Sequence, residues 1–271
     1  MDDHGSGDGW DLIVAPWHLD EHIPGFPVPV GATEVIFPAL PAGPIPARMS
    51  LLHTAVADAV ARGGRPLVLS GDCPTARAAV AGLQRRHRDL AVVWLDAHGD
   101  FNTPVISTSG YIGGMAISML TGRTPDLFDD ELGLRPVPDT SVVLADARDL
   151  DPAERDALNG SEVHRVPADP AAITSALDGL GHTPVYLHLD IDVIDSAELS
   201  GLRFPSGPGP SLTQIEECLA AVCATADVAG AGIACAWLPD RVSDQSTRDT
   251  ITRLGRALGS ELTWHAHLPS A

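Results

Sequence analysis

Residues 91–100 read AVVWLDAHGD, an unbroken apolar run that ends abruptly in an acidic, histidine-containing segment. The same transition occurs at residues 66–73, PLVLSGDC, and at residues 185–192, VYLHLDID. Short, nearly all-apolar runs are typical of strands that a parallel sheet buries on both faces. Ligands of such sheets lie outside the carboxyl ends of the strands, so the polar residues that follow these runs are the first candidates for a functional site.

Helical patterns separate the strand-like runs along the chain. Apolar residues at positions 51, 52, 55, 56, 59 and 60 fall on one helical face, and Gly63 and Gly64 end that helix. The predicted strands are 11–15, 66–70, 91–95, 141–145, 185–189 and 228–234. The predicted helices are 48–62, 76–86, 152–158, 171–177, 212–224 and 246–258. This alternation predicts an α/β fold with a mostly parallel central sheet between helices, in a single domain spanning residues 1–271.

The composition excludes several classes of function. The 271 residues include 17 Lys and Arg against 36 Asp and Glu, which gives a formal net charge of −19. Nucleic acids and anionic membranes both require a basic surface, so we expect neither as a partner. No apolar run reaches the roughly 18 residues of a membrane span, and the acidic N-terminus MDDHGSGDGWD differs from a signal peptide. We therefore expect a soluble cytoplasmic protein with a small-molecule substrate.

Acidic and imidazole side chains alternate where two of the predicted strands end. Asp96, His98 and Asp100 are spaced two apart after one strand, and Asp190 and Asp192 follow another. Residues at this spacing project to one side of an extended chain, and converging carboxylates repel one another unless cations compensate. Two divalent metal ions would do so, and carboxylate and imidazole ligands suit Mn, Zn, Fe or Co. The alternative is a solvated turn with a helix cap.

Five short motifs in a fixed order carry a resemblance to a known family. They are SGDC (70–73), DAHGD (96–100), FNTP (101–104), STSG (107–110) and DIDVID (190–195). Over nearly its whole length the sequence resembles the arginase/agmatinase family of ureohydrolases, as a divergent member. The resemblance implies the three-layer α/β/α sandwich of the arginase fold and a binuclear metal centre, commonly of manganese.

The resemblance also implies a set of metal ligands. One metal ion would bind Cys73, Asp96, Asp100 and Asp190, and the other would bind Asp96, His98, Asp190 and Asp192. A hydroxide between the two ions would attack the carbon of an amidine or amide, because two cations lower the pKa of a bound water. Asp96, Asp100 and Asp190 are the predicted catalytic residues.

Three positions depart from the family pattern. Cys73 replaces the first histidine ligand, and a softer thiolate would favour Zn, Fe or Co over Mn. The alternative for Cys73 is a buried thiol beside a weak or empty metal site. Gly113 replaces the proton-shuttling histidine of the arginine hydrolases. Cys235 replaces the glutamate that holds the guanidinium, and the nearby Trp237 suggests an apolar or stacking contact to the substrate.

Other positions of the family pattern are retained. The segment RDLDPAE at residues 148–154 places Asp151 and Glu154 near the α-amino group of an amino-acid substrate, and Asn102 and Ser109 match positions that contact the substrate carboxylate. The alternative for residues 148–154 is the start of a helix, whose dipole favours acidic residues in the first turn.

The resemblance predicts a binuclear metallohydrolase of linear C–N bonds. The substrate would be an amino acid bearing a guanidino, hydroxyguanidino or related amidine group. The segment GYIGGM (110–115) and the context of His188 partly resemble the hydroxyarginine-hydrolysing branch of D-cycloserine biosynthesis. One alternative is a metal-dependent amide or formamide hydrolase on the same fold, and another is a non-catalytic ligand-binding member. A homo-oligomer is possible, although no local feature of the sequence decides it.

Overall fold

The computed structural model describes residues 9–128 and 132–265, so most of the acidic N-terminal segment and both extremes of the predicted domain lie outside the described residues. Two of the strands form a small antiparallel hairpin and the others a single sheet. The strands are β1 (Trp10–Ala15), β2 (Trp17–His18), β3 (Glu21–His22), β4 (Glu34–Val35), β5 (Arg65–Ser70), β6 (Ala91–Asp96), β7 (Val142–Asp146), β8 (His164–Val166), β9 (Val185–Asp190) and β10 (Val228–Ala234).

Within the described residues the sheet has eight strands in the order β4-β1-β5-β10-β9-β6-β7-β8, and every neighbouring pair is parallel. Helices connect the strands. They are α1 (Ile45–Ala61), α2 (Thr75–Gln84), α3 (Ala116–Leu120), α4 (Pro152–Asn159), α5 (Pro170–Asp178), α6 (Leu212–Thr225) and α7 (Gln245–Ala257).

The sheet divides the hydrophobic core into two clusters. Leu67 and Leu69 of β5 pack in the cluster that contains Leu219 of α6, whereas Val68 between them packs in the cluster that contains Val56 of α1. Alternate side chains of a strand point to opposite faces, so a strand covered on both faces is apolar at every position. The predicted α/β fold, a three-layer α/β/α sandwich around a mostly parallel sheet, is therefore confirmed.

The six predicted strands and six predicted helices all form, with ends shifted by up to about three residues. Helix α1 begins earlier than predicted, with a proline in its first turn, where the missing N–H costs no helical hydrogen bond. The sequence analysis missed five short elements: strands β2 and β3 of the hairpin, the edge strands β4 and β8, and helix α3. Each is only two to five residues long, too short to show a periodic pattern.

The register of the sheet brings the ends of the central strands together. Ala234 at the end of β10 pairs with Ser70 of β5 on one side and with Asp190 of β9 on the other. On the far side of β9, Leu95 of β6 pairs with Leu189, so Asp96 lies at the same edge. This edge is where the functional side chains converge. Among the described residues, no helix is both long and apolar enough to cross a membrane.

Candidate metal centre

A cavity of about 270 Å³ opens at the carboxyl edge of the central strands. All six predicted metal ligands line it, as do four of the predicted substrate-binding residues. These are Cys73, Asp96, His98, Asp100, Asp190 and Asp192, with Asn102, Ser109, Asp151 and Glu154. The structure thus gathers in one place residues that are up to 119 positions apart in the sequence, counting from Cys73 to Asp192.

One candidate ligand group consists of Asp96, His98 and Asp192. Nδ1 of His98 lies 3.0 Å from Oδ2 of Asp192 and 3.5 Å from Oδ1 of Asp96. Burial by itself would lower the pKa of His98, but the hydrogen bonds and charges of the two carboxylates raise it to about 12. The imidazolium is the cation that compensates this group when no metal ion is bound.

The other candidate ligand group consists of Cys73, Asp96 and Asp100, so the two groups share Asp96. Sγ of Cys73 donates to Oδ2 of Asp190 at 2.9 Å and lies 3.8 Å from Oδ2 of Asp96. Burial, followed by the charges of Asp190, Asp100 and Asp96, raises the pKa of the Cys73 thiol. The thiol is therefore protonated in the absence of a cation.

Three carboxylates at this site, those of Asp100, Asp190 and Asp192, are poorly accommodated as anions. Burial and the charge of Asp96 raise the pKa values of Asp100 and Asp190 well above the usual value, and raise that of Asp192 to about 7. Oδ2 of Asp100 is buried and has no hydrogen-bond partner among the described residues. Ionising these groups together requires added positive charge, and their oxygen, nitrogen and sulfur donors suit a divalent transition metal. The residues present therefore fit such ions.

Neighbouring side chains hold the ligands in place. Nε1 of Trp94 donates to Oδ2 of Asp96 at 3.0 Å. The ring of His188 stacks on Trp94 with centroids 3.6 Å apart, and its Nε2 lies 3.3 Å from Sγ of Cys73. His188 is 1% exposed and contacts a candidate ligand, so it is both a buried residue of the core and an outer contact of the site.

The backbone around Asp100 is shaped by the loop that follows β6. Asp100 has a φ of +47°, a left-handed conformation that non-glycine residues adopt infrequently, Asp more often than most. Its carbonyl accepts hydrogen bonds from the amides of Ile117 and Ser118 at the start of α3. Oε1 of Glu154 accepts from the amide of Phe101 at 2.8 Å. These bonds turn the Asp100 carboxylate back toward the cavity.

Two predicted substrate-binding residues, Cys235 and Trp237, are not among the residues that line the cavity. Cys235 is fully buried, and its Sγ lies 3.7 Å from the carbonyl of Ile233. Trp237 is 2% exposed and packs in the core. Ala236, the residue between them, lines the cavity instead. The physical reason is that the chain leaves β10 after Ala234, and the backbone of the following turn presents only the middle residue of the three to the cavity.

The sequence analysis missed four residues that line the cavity: His18, Tyr111, Asp149 and Phe204. His18 closely follows the end of β1, so the same strand-end argument that found Asp96 could have found it. Tyr111 lies in the segment GYIGGM, which the sequence analysis used for Gly113 and for the family resemblance but not for this tyrosine. The sequence carries no comparable signal for Phe204, which a long loop brings to the cavity from beyond β9.

Comparison with known proteins gives a consistent result. Residues 29–257 match the model of the arginase family. The chain is 32% identical over 148 residues to an N(omega)-hydroxy-L-arginine amidinohydrolase of Streptomyces lavendulae, covering 54% of this chain and 52% of that protein. It is 34% identical over 166 residues to an arginase of Brevibacillus brevis, covering 57% and 55%. The chain spans about half the length of the curated relatives it matches.

Solved structures share the fold. Arginase from Bacillus caldovelox has a TM-score of 0.77 at 20% identity, covering 96% of this chain and 99% of that chain. Arginase from Bacillus cereus has a TM-score of 0.71 at 27% identity, covering 79% and 78%. The family model spans most of the sequence, and the parallel sheet matches the fold of these structures. The chain belongs to the arginase family.

Proposed function

We propose that this chain is a metal-dependent hydrolase of linear C–N bonds, acting on an amino acid that bears a guanidino or hydroxyguanidino group. The observation that carries the proposal is the pair of buried ligand groups that share Asp96 at the wall of one cavity. Family membership and the names of the similar curated proteins point to the same chemistry.

The predicted ligand sets are consistent with this geometry. Cys73, Asp96 and Asp100 would hold one divalent ion, Asp96, His98 and Asp192 would hold the other, and Asp190 is proposed as a further ligand to both. When bound, the two ions would activate a water molecule as the nucleophile. They would also stabilise the negative charge that develops when this water attacks the guanidino carbon of the substrate. The proposed metal is Mn. If the Cys73 thiolate is a ligand, its soft sulfur would shift the preference toward Zn, Fe or Co.

The cavity has the charge expected for a cationic substrate. Asp149, Asp151 and Glu154 line the cavity in addition to the candidate metal ligands. Carboxylates here attract the α-ammonium or guanidinium of an amino acid. Oδ1 of Asn102 is buried without a hydrogen-bond partner among the described residues, and Asn102 and Ser109 are proposed to contact the substrate carboxylate, as the family resemblance implies. Asp151 and Glu154 are therefore proposed to bind the amino end of the substrate, with Asn102 and Ser109 nearby.

A hydroxyguanidino substrate is favoured over arginine itself. The residue just beyond β10 that lines the cavity is Ala236, which cannot form an ion pair with a guanidinium. A hydroxyguanidine is less basic than a guanidine and depends less on such a pair. The similarity to the Streptomyces lavendulae protein, whose name specifies N(omega)-hydroxy-L-arginine, supports the same choice.

Two measurements test the proposal. Metal analysis of protein purified without chelators is expected to give about two divalent ions per chain, as two-metal activation of water requires. Release of urea or hydroxyurea is then assayed from arginine, agmatine, guanidinobutyrate and hydroxyarginine, with hydroxyarginine expected to react fastest. Turnover only on an amide and formamide panel would replace the proposal with the alternative hydrolase. Metal binding without turnover on either panel would favour a ligand-binding member.

The oligomeric state and the cellular location stay predictions. We propose a cytoplasmic protein that can form a homo-oligomer. Sedimentation of the purified chain and fractionation of cells that express it would test the two statements separately.

A further inference from the structure

Two neighbouring glycines leave room at the cavity wall, and an aromatic ring occupies that room. A Cβ atom built on Gly113 would lie 2.2 Å from Cε1 and Cζ of Tyr111 and 2.4 Å from its hydroxyl oxygen. No side chain can tolerate such contacts, so any residue larger than glycine at position 113 would displace the ring. The phenol of Tyr111 therefore fills the volume into which a side chain at position 113 would project.

The Tyr111 hydroxyl is held by a histidine whose own orientation is fixed. Nδ1 of His18 lies 3.0 Å from the carbonyl oxygen of Gly71, and because a carbonyl only accepts, this nitrogen carries a hydrogen. Nε2 of His18, on the other side of the ring, lies 3.0 Å from the Tyr111 hydroxyl. The two rings are inclined by only 17°, and Phe204 packs against Tyr111 with centroids 5.1 Å apart. The hydroxyl is thus fixed in position.

Hydrolysis of a guanidino group needs a proton donor in addition to a nucleophile, because an amine leaves poorly as an anion. The candidate ligands Cys73 and His98 would be occupied by metal ions. Oε1 of Glu154 already accepts from the amide of Phe101. Burial, together with nearby carboxylates, raises the pKa of Tyr111 and keeps its hydroxyl protonated. Tyr111 and His18 form a hydrogen-bonded pair at the cavity wall that can supply a proton.

We propose that Tyr111 is a catalytic residue whose hydroxyl donates a proton to the leaving nitrogen, and that His18 is the positioning residue that replenishes it. This role rests on the proposed hydrolysis of a guanidino or hydroxyguanidino amino acid. It assigns the proton-donating part of the reaction to two residues that the sequence analysis did not name as site residues.

The proton transfers balance. As the bond between the attacked carbon and the leaving nitrogen breaks, its electron pair stays on nitrogen, which takes the proton of the Tyr111 hydroxyl. The tyrosine oxygen takes the Nε2 proton of protonated His18, so tyrosine is neutral before and after the step and the imidazole becomes neutral. The carbon-bound hydroxyl loses a proton to solvent as it becomes a carbonyl, and His18 regains one from solvent.

The decisive variant is Tyr111→Phe, which removes one oxygen atom and keeps the ring. We expect kcat to fall by about 10²-fold or more, the usual contribution of a positioned proton donor, with KM changed by less than about threefold. Metal content should not change. Tyr186→Phe is the matched control, because Tyr186 is a buried tyrosine in the core that does not line the cavity.

The relay is tested with His18→Gln and with the double variant. If His18 acts only through Tyr111, then His18→Gln lowers kcat, and the double variant His18→Gln/Tyr111→Phe loses no more than Tyr111→Phe alone. If His18 has only a structural role, the loss of kcat in the double variant would instead exceed that in Tyr111→Phe, and His18→Gln would lower the melting temperature. Gly113→Ala, which displaces the ring while leaving its hydroxyl intact, is expected to lower kcat as Tyr111→Phe does.

The outcomes separate this inference from the proposed function. If the unaltered protein turns over its substrate and Tyr111→Phe does so at the same rate, the role of Tyr111 is overturned. The proposed function would then stay intact. Lack of turnover by the metal-loaded, unaltered protein on every guanidino and hydroxyguanidino substrate would remove both. Additive losses in the double variant would overturn the relay through His18 alone.

Discussion

The two candidate ligand groups share Asp96 but differ in how their buried negative charge is compensated. In the group of His98, the imidazolium lies between Asp96 and Asp192 and supplies a positive charge of its own. In the group of Cys73, the thiol hydrogen-bonds to Asp190, and Oδ2 of Asp100 has no partner among the described residues.

This difference teaches that the two groups depend on metal to different extents. The His98 group is already compensated when His98 is protonated, so a metal ion must displace a proton there. In the Cys73 group, burial favours the protonated forms of Cys73 and Asp100, and a cation would both ionise the thiol and bind the unpartnered oxygen of Asp100. We therefore expect the Cys73 group to decide which metal the protein prefers, and the shared Asp96 to couple the groups.

The largest effect is expected from Asp96→Asn, which removes the carboxylate that both groups use. We expect activity to fall by more than about 10³-fold, as when one residue of a catalytic unit is lost, and metal content to fall with it. Metal analysis and turnover are the measurements. The control is Asp240→Asn, an acid whose side chain is 78% exposed. A variant that keeps two metal ions would show that the groups do not share Asp96.

His188→Phe tests whether the Cys73 group is supported independently. Phenylalanine keeps the stacking on Trp94 but removes the nitrogen that lies 3.3 Å from Sγ of Cys73. We expect the affinity for one of the two metal ions to fall by about 10–100-fold, the usual effect of removing a residue that hydrogen-bonds to a metal ligand. The affinity for the second metal ion should not change. Competition with a chelator measures both equivalents. His164→Phe, at an exposed edge strand, is the control, and equal weakening of both equivalents would contradict the comparison.

Cys73→His tests the source of metal preference. Replacing a soft sulfur donor with imidazole is expected to shift relative affinity from Zn toward Mn by about tenfold or more. Paired titrations with the two metals measure this ratio. Cys223→Ser changes a cysteine on helix α6, outside the cavity, and should leave the ratio as it is. An unchanged ratio in Cys73→His would mean that the thiol is a buried structural group.

The smallest effect concerns pH and the metal-free protein. Burial raises the pKa of Asp192 from 3.8 to about 7, so the folded state binds the proton more tightly than the unfolded state does. The resulting stability is present below the unfolded pKa and is lost as the pH rises through the folded one. We expect the melting temperature of metal-free protein to fall by a few degrees between about pH 5 and about pH 8.

The Asp192→Asn variant provides the control for this pH dependence, because its amide does not titrate. Metal-loaded protein should also show a weaker fall, since bound cations favour the ionised carboxylates. Calorimetry at several pH values measures all three forms. An equal fall in the variant and in the unaltered protein would place the titrating group elsewhere.

Much of this could be predicted because both the sheet and the ligands leave local signals. A strand covered on both faces must be apolar at successive positions, so AVVWL at residues 91–95 identified β6 and the residues after it identified the site. Edge strands β4 and β8 are too short to show such a pattern. The sequence did not show that Cys235 and Trp237 stay off the cavity wall, because the direction of a side chain just beyond a strand depends on the turn that follows.

By itself the sequence determined the α/β fold and the side chains that could bind metal, because apolar periodicity and residue chemistry are properties of neighbouring residues. Only the tertiary structure decided that Ala236 faces the cavity, that His188 contacts Cys73, and that the ring of Tyr111 fills the space beside Gly113. Those facts depend on distances between segments far apart in the chain. Such distances are set by the packing of the whole sheet and its helices, which no local stretch of sequence contains.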